Sequence, residues 1–279
     1  MGSGARGRGP GVRPSRLERV GLPLYVAALF AFLALPMVIV VAVSFNAGEF
    51  IHFPPRGFSF RWFRHVFAGA NFGPAIVVSL QLAVLSTLGS LALGIPAALA
   101  LVRYPVPFRD AIQAFLLSPL SLPLIVFGIA LLFFAGAIGL QLSFIGLLAG
   151  HVVITVPYIL RTVVAVYRGV DRNLEEAAMV LGADALTCFR RVTLPLIRPG
   201  IVVGSIFSFL TSFDNVPVSI FLTKTDTITL PVAILSYLVY SFDPSVAAVS
   251  TLQMLFAVTV LLVLERTYGL GQVTAVGGQ

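Results

Sequence analysis

Six long apolar runs constrain this chain more than any other feature of its sequence. They cover residues 22–45, 74–101, 111–137, 142–166, 199–222 and 245–264. Each run is long enough to cross the hydrocarbon core of a bilayer as a helix, which takes about 20 mostly apolar residues. Helices satisfy their backbone hydrogen bonds internally, as lipid surroundings require. The runs therefore predict an all-α integral membrane protein with six transmembrane helices.

The composition supports the same class. Of the 279 residues, 58% are hydrophobic and 10% are charged, whereas soluble domains carry about 25% charged residues. So little charge leaves too little polar surface to cover a water-soluble domain. A seventh apolar stretch, 228–242, is too short to cross comfortably and contains Pro231 near its start. We expect this stretch to lie flat against one membrane face.

The basic residues predict the orientation of the chain. With the N-terminus in the cytoplasm, fourteen of the 18 Lys and Arg residues fall inside. The other four, Arg56, Arg61, Arg64 and Lys224, fall outside. Loops rich in Lys and Arg stay in the cytoplasm, so both termini are expected there. Nucleic-acid binding does not fit the net charge of +7, because the arginines lie between apolar runs and not on one compact basic face.

The runs also divide the chain into regions. Residues 1–20 are predicted to be a flexible, basic cytoplasmic tail, since Gly, Pro, Arg and Ser dominate them. Residues 21–73 hold the first transmembrane helix and an external loop. Residues 74–266 hold five more helices and a long cytoplasmic loop at 168–198, and 267–279 form a second cytoplasmic tail.

The sequence carries no recognisable catalytic, metal-binding or nucleotide-binding pattern. Cys188 is the single cysteine, and the three histidines are scattered without the spacing of metal ligands. Lys224 is the single lysine, and it lacks the preceding glycines of a Walker A loop. We therefore expect this chain to bind no cofactor and to catalyse no reaction of its own.

The long cytoplasmic loop contains a strongly patterned segment, LEEAAMVLGADALTCFRRVTLPLIRPG, at residues 174–200. Asn173 and Glu176 have the spacing of a helix capping box. Gly182 is placed to end that helix in a left-handed conformation. An apolar stripe at helical spacing is formed by Leu174, Ala177, Ala178 and Leu181. The pattern predicts a short amphipathic helix that ends in a glycine corner.

A second short helix is predicted from Asp184 to about Val192. We expect Pro195 to break it and Pro199 to begin the next span. Composition alone also allows the whole segment to lie on the lipid surface, anchored by its arginines.

The spacing of this segment resembles the EAA signature of ABC importer permeases. That signature reads Glu-Ala-Ala, three residues, Gly, nine residues, then Ile-x-Leu-Pro, and this chain departs from it only at Val192 in place of Ile. The resemblance implies the type I permease fold, with an ABC transmembrane type-1 domain at 74–266. It also implies that the loop docks in a groove of a cytoplasmic ATPase. The implied ATPase-coupling residues are Glu175, Glu176, Ala177, Ala178, Gly182, Ala183, Leu186 and Pro195.

Two readings of the paired glutamates stay open. Glu175 and Glu176 either pair with basic residues of the ATPase or complement the dipole at the N-terminus of their own helix.

Further stretches resemble the spermidine/putrescine branch of these permeases. Residues 44–63 resemble its first external loop, and residues 212–232 resemble the exit of its fifth span, although Asn215 stands where that branch often has an acidic residue. The resemblance implies a polyamine substrate. Permeases for iron(III), sulfate or opines share the scaffold and are the alternatives.

The same resemblance implies partners and a location. The partners are a second, non-identical permease subunit, two cytoplasmic ATPase subunits that use the ATP, and an extracytoplasmic binding protein that contacts 44–72 and 224–243. The implied location is the bacterial inner membrane.

Polar residues in the spans are candidates for the transport pathway. Asp214 lies about 22 Å along the predicted fifth span, where a carboxylate is costly and suggests function. Phe209 and Phe213 would offer aromatic faces to an ammonium group. Alternatively, Asp214 only forms hydrogen bonds within the helix bundle. His151 is expected at the membrane interface.

Gly200 and Gly204 form a small-xxx-small pair, which fits either a close helix contact or ordinary membrane-helix glycine. Two other function classes are an ATP-independent secondary transporter and a membrane scaffold. The first usually shows an internal repeat, and we find none in the sequence.

Overall fold

The computed structural model describes residues 16–68, 72–140, 142–241 and 243–268, and its regular structure is almost entirely helical. A 3-10 turn (Ser118–Leu120) follows α4, and a π-helical stretch (Phe189–Thr193) joins α8 to α9. The helices are α1 (Arg16–Ser44), α2 (Arg61–Ala68), α3 (Phe72–Arg103), α4 (Arg109–Leu117), α5 (Leu124–Ala137), α6 (Phe144–Arg168), α7 (Arg172–Val180), α8 (Ala185–Cys188), α9 (Leu194–Phe213), α10 (Ser219–Leu222), α11 (Leu230–Tyr240) and α12 (Ser245–Tyr268). The all-α prediction is confirmed.

Helices α3, α6 and α9 pack against one another and form the core of the bundle. Helix α6 is the most enclosed of the long apolar helices, with 61% of its apolar window buried against 6% for α1. Helix α1 packs on the outside against α12. Its large side chains, such as Phe30 and Phe32, are exposed, as expected for a helix that faces lipid.

Close packing of α9 on α6 depends on the two glycines of the predicted small-residue pair. A Cβ atom on Gly200 would lie 2.8 Å from the carbonyl oxygen of Thr162. A Cβ on Gly204 would lie 3.0 Å from Ile159 Cα and would overlap the Thr162 hydroxyl. The obstacle at both positions includes backbone, so only glycine permits this helix separation. The close-contact interpretation is confirmed.

The predicted third span, 111–137, is not one continuous helix. The segments Arg109–Leu120 and Leu124–Ala137 meet at an angle of 102°. Pro119 and Pro123 flank the bend, and each proline removes a backbone donor that a continuous helix would use. The described residues thus contain five helices long and apolar enough to span a membrane, or six if the bent pair is one span.

The fifth span is displaced from its predicted position of 199–222. A continuous helical segment runs from Ala185 to Phe213, and the chain then turns before the short helix α10. The Asn215 side chain stabilises this turn by accepting a hydrogen bond from the Val218 amide at 2.9 Å. The predicted run 199–222 joined the second part of α9 and the short helix α10 into one span, because the residues of both are apolar.

The remaining segments lie at the end of the bundle where α3 begins. Trp62 of α2 is buried and donates to the carbonyl of Asn46 at 2.9 Å. Helix α11, as expected, is too short to span and packs on α3 and α12. Its Leu230 amide donates to the hydroxyl of Ser79 at 2.7 Å. Helix α1 begins at Arg16, so the end of the predicted flexible tail is helical, and residues 1–15 and 269–279 lie outside the described residues.

Candidate functional site

The patterned loop folds into a helix, a glycine corner and a second helix at the end of the bundle where α3 and α6 finish. The N-cap of α7 is Asp171, whose carboxylate accepts from the Asn173 amide at 3.0 Å. The predicted cap at Asn173 is therefore wrong, because Asn173 is already the second residue of the helix. The Asp171 carboxylate, two residues earlier, accepts a hydrogen bond from a free backbone amide of the first turn, as an N-cap side chain does.

Gly182 forms the predicted corner. Its φ angle is +91°, a conformation that glycine adopts without steric cost. The Gly182 amide donates to Met179 and the Ala183 amide donates to Ala178, each at 3.0 Å, which closes the end of α7. Asp184 then caps α8 by accepting from the Thr187 amide at 3.1 Å. Hydrogen bonding to the Thr187 side chain, and then to its amide, lowers the pKa of Asp184.

The outer surface of this loop, which we call the docking surface, is apolar and uncovered by the rest of the described chain. Val180 and Leu181 are 85% and 88% exposed. Leu174, Met179 and Leu186 are about half exposed. Of the other predicted coupling residues, Glu176, Ala177, Gly182 and Pro195 are exposed, and Ala178 and Ala183 are half-buried. An exposed apolar face of this kind marks a site of contact with another protein or with the membrane.

Glu175 differs from the other predicted coupling residues, because it points into the protein and is only 8% exposed. Its Oε2 accepts from Arg103 Nε of α3 at 2.7 Å. Its Oε1 accepts from the Tyr167 hydroxyl of α6 at 2.7 Å and from the Thr193 hydroxyl at 2.6 Å. Of the two open alternatives, pairing with a basic residue of a partner does not fit this geometry of Glu175, because both carboxylate oxygens already accept hydrogen bonds within the chain.

Electrostatics around Glu175 favour its charged form. Burial by itself raises the pKa of this carboxyl, but the hydrogen bonds from Thr193, Tyr167 and Arg103 outweigh burial, and the pKa lies below its ordinary value. Glu175 is therefore a carboxylate near neutral pH, and the Arg103 guanidinium is its counter-ion. Glu176, by contrast, forms an exposed ion pair with Arg172 of the same helix at 2.9 Å.

Pro195 does not break the second helix as expected. The π-helical stretch Phe189–Thr193 precedes it, and the Leu194 amide donates to the carbonyl of Phe189, five residues back. Pro195 then occupies the first turn of α9, where a missing amide donor costs little. Helix α8, which carries Leu186 of the docking surface, is consequently continuous with the core helix α9.

Of the three pathway candidates, Phe209 and Phe213 stack on each other, with ring centroids 6.0 Å apart. Asp214 follows the last residue of α9, is exposed, and accepts from Gln253 Nε2 of α12 at 2.7 Å. Phe213 is only 4% exposed and packs on Phe256, with ring centroids 5.0 Å apart. It therefore belongs to the core and offers no face to a solute. Phe209 is half-buried and lines an open apolar groove between α3, α9 and α12.

Sequence reasoning missed a buried polar network between the core helices. His151 of α6 is fully buried, not at the interface as expected. Its Nδ1 lies 2.8 Å from the Ser212 hydroxyl, and its Nε2 lies 3.0 Å from the Ser219 hydroxyl. Ser86 of α3 donates to Ser212 at 2.8 Å. Polar side chains that satisfy one another in this way hold neighbouring membrane helices together.

Comparison with known proteins identifies the family. The model of the family described as "Binding-protein-dependent transport system inner membrane component" matches residues 90–267, more than half of the chain. The chain belongs to this family of ABC importer permeases. The family expected from the EAA spacing is thereby confirmed, and the chain is a transport subunit and not an enzyme.

Two relatives share sequence over most of this permease. The spermidine/putrescine transport system permease protein PotC of Escherichia coli is 32% identical over 248 residues, which are 88% of this chain and 92% of PotC. The putrescine transport system permease protein PotI of Escherichia coli is 31% identical over 231 residues, which are 80% of this chain and 82% of PotI.

A solved structure shares the fold of this permease. It is the crystal structure of a bacterial ABC transporter involved in the import of the acidic polysaccharide alginate. The match has a TM-score of 0.70 at 17% identity and covers 92% of this chain and 99% of that one. The expected type I permease fold is therefore confirmed, and its apolar helices make this chain an integral membrane protein.

Proposed function

We propose that this permease forms part of the transmembrane pathway of an ATP-driven importer for a polyamine such as spermidine or putrescine. The observation that carries the proposal is the similarity to PotC across nearly the full length of both chains. PotI, named for putrescine, adds a second relative of the same substrate class. An exposed carboxylate at the end of α9, Asp214, suits a cationic solute.

We further propose that the docking surface receives a cytoplasmic ATPase subunit, which binds and hydrolyses the ATP. Its exposed apolar residues, above all Val180, Leu181 and Leu186, support this role. The surface lies beside Arg103 and Arg168, at the ends of α3 and α6. Because basic residues stay in the cytoplasm, we propose that this end of the bundle is the cytoplasmic end, where α1 begins and α12 ends.

A second permease subunit would sit against the open groove between α3, α9 and α12. The groove has a volume of about 440 Å³ and an almost wholly apolar lining that includes Ile201, Phe209 and Val260. An extracytoplasmic binding protein would meet the opposite end, where residues 44–68 and α11 lie. Arg56, Lys224 and the exposed Phe50 are available there for such a contact.

Reconstitution in proteoliposomes tests the substrate and the energy source together. The permease would be assembled with its partner permease, the ATPase and the binding protein, and uptake of radiolabelled spermidine and putrescine would be measured against sulfate and iron(III). We expect ATP-dependent polyamine accumulation and none without the ATPase. Accumulation of another solute would contradict the polyamine assignment, and gradient-driven uptake without ATP would contradict the mechanism.

Asp214→Asn is expected to raise the apparent KM for spermidine by about three- to tenfold, the effect of losing about 1 kcal/mol of attraction between two charges. Asp214→Glu keeps the charge and should keep most of the uptake. Gln253→Ala removes the hydrogen-bond partner of Asp214 but leaves the carboxylate. If Gln253→Ala impairs uptake as much as Asp214→Asn does, Asp214 is structural and not part of the pathway.

A further inference from the structure

The carboxylate of Glu175 joins α7 to the cytoplasmic ends of all three core helices. Arg103 is the last residue of α3, Tyr167 is near the end of α6, and Thr193 immediately precedes α9. All three donate hydrogen bonds to the same side chain. Arg103 Nη2 also donates to the carbonyl of Val170 at 3.0 Å, in the link between α6 and α7.

This junction is built to be stiff. The Arg103 and Glu175 side chains are 17% and 10% exposed, so water competes little for their ion pair. The guanidinium carbon of Arg103 lies 4.2 Å from the centroid of the Tyr167 ring, a cation–π contact. A buried charge pair with every oxygen satisfied holds one geometry, whereas an exposed pair exchanges freely with solvent.

We infer that Glu175 is a positioning residue that carries movement of α7 into α3, α6 and α9, and that it is not itself a contact to the ATPase. This inference rests on the proposed docking of the ATPase at the docking surface. Without the carboxylate, α7 is held by its covalent links to α6 and α8 and by packing. A force on the docking surface would then displace α7 relative to α3, α6 and α9, and these core helices would not follow the movement.

The neighbouring glutamate provides a natural contrast. Glu176 is exposed and pairs with Arg172, four residues earlier in the same helix. This pair links α7 to no other helix and lies on the solvent side of the loop. Glu175 and Glu176 are adjacent in sequence, yet only Glu175 connects the loop to the transmembrane core.

Glu175→Gln is the main test variant, because the amide oxygen still accepts hydrogen bonds while the charge opposite Arg103 is lost. Tyr167→Phe is a milder second variant, since it keeps the ring under Arg103 and removes one hydrogen bond. Asp110→Asn is the matched control. It removes an exposed carboxylate at the first turn of α4, which the arginine pattern also places on the cytoplasmic side.

The first readout separates ATP use from transport in the reconstituted complex. For Glu175→Gln we expect normal co-purification of the ATPase and normal basal ATP hydrolysis, with uptake per ATP lowered by about five- to tenfold. Tyr167→Phe should change this ratio less and in the same direction, and Asp110→Asn should leave it unchanged. A loss of bound ATPase in Glu175→Gln would mean that Glu175 is a docking contact and would overturn the inference.

The second readout follows the movement itself, which a merely stabilising role would leave unaffected. Spin labels would be placed at Asn173→Cys in α7, outside the docking surface, and at Tyr104→Cys beside the end of α3, since both positions are exposed. The buried native Cys188 would be replaced by alanine in a background that still transports. In the parent, the distance between labels should stay constant with and without ATP. In Glu175→Gln it should change or broaden when ATP is added.

The outcomes distinguish this inference from the proposed function. If the variants show unchanged uptake per ATP and unchanged label distances, Glu175 does not transmit movement. If the parent complex itself fails to cross-link the ATPase to a cysteine at position 186, the docking proposal fails first. An ATPase that cross-links to the parent, combined with a loop that loosens in Glu175→Gln and Tyr167→Phe but not in Asp110→Asn, supports both.

Discussion

Replacing Gly182 by aspartate is expected to abolish ATP-dependent uptake while leaving the protein folded in the membrane. The φ angle of +91° strains any other residue at this corner, by about 1–2 kcal/mol. Within the part of the chain that the structure describes, no neighbouring atom lies within 4 Å of a Cβ built there, so the new side chain points to the outside beside Leu181. An unpaired charge buried by a docked ATPase costs about 3 kcal/mol or more, a roughly hundredfold loss of productive complex.

Two further glycine variants separate strain from docking. Gly182→Ala introduces the backbone strain without the charge, and we expect an intermediate loss of uptake. Gly139→Asp is a matched control, because Gly139 has a φ of +75° and equally open surroundings. It lies at the opposite end of the bundle, between α5 and α6. Equal loss of uptake in Gly182→Asp and Gly139→Asp would show that left-handed strain alone is responsible and that the corner does not meet the ATPase.

Local chemistry explains why the docking loop was largely predictable from sequence. Helix capping, a left-handed glycine and an apolar stripe all depend on residues within a few positions of one another. The corner at Gly182 therefore lies where the pattern places it. The cap moved from Asn173 to Asp171 because both side chains have oxygens that can accept from the first turn. A shift of the N-cap by two residues is within the precision with which sequence patterns place the end of a helix.

The inward direction of Glu175 was not predictable from the same rules. Its partner Arg103 lies 72 positions away in sequence, and the stripe of apolar residues suggests only which face of α7 avoids water. In α7 the apolar stripe faces outward, toward the proposed partner, and Glu175 faces inward. Sequence patterns assume that apolar faces point to the chain's own core, and a docking helix reverses that assumption.

The limits of hydropathy explain the errors in the third and fifth spans. Mean hydropathy measures length and apolarity, but not whether a helix continues. At Pro119 and Pro123 the chain bends sharply while remaining apolar. After Phe213 it turns, and the apolar residues of α10 extend the run without extending the helix. His151 was misplaced for a related reason, because α6 is surrounded by protein on most sides and its polar side chain finds partners there.

The Gly204→Leu substitution is expected to destabilise the whole helix bundle. The position faces Ile159 Cα and the Thr162 hydroxyl across the α6–α9 contact. A backbone atom cannot rotate away, so the helices have to separate. Overpacking of this kind costs about 3 kcal/mol, which corresponds to a fall of about 10 °C in Tm. The measurement is the Tm of the detergent-purified protein. Size-exclusion chromatography shows in addition whether the variant still elutes as a single species.

Gly73→Leu is the control for helix propensity, because Gly73 lies in the first turn of α3 and none of the described residues comes within 4 Å of a Cβ built there. We expect it to leave Tm nearly unchanged. Equal Tm values for Gly204→Leu and Gly73→Leu would contradict the tight α6–α9 contact. The contact matters for transport as well, since α8, part of the docking loop, continues into α9 without a break. If α6 and α9 separate, the ends of the two helices that Glu175 joins through Tyr167 and Thr193 are no longer held at one spacing.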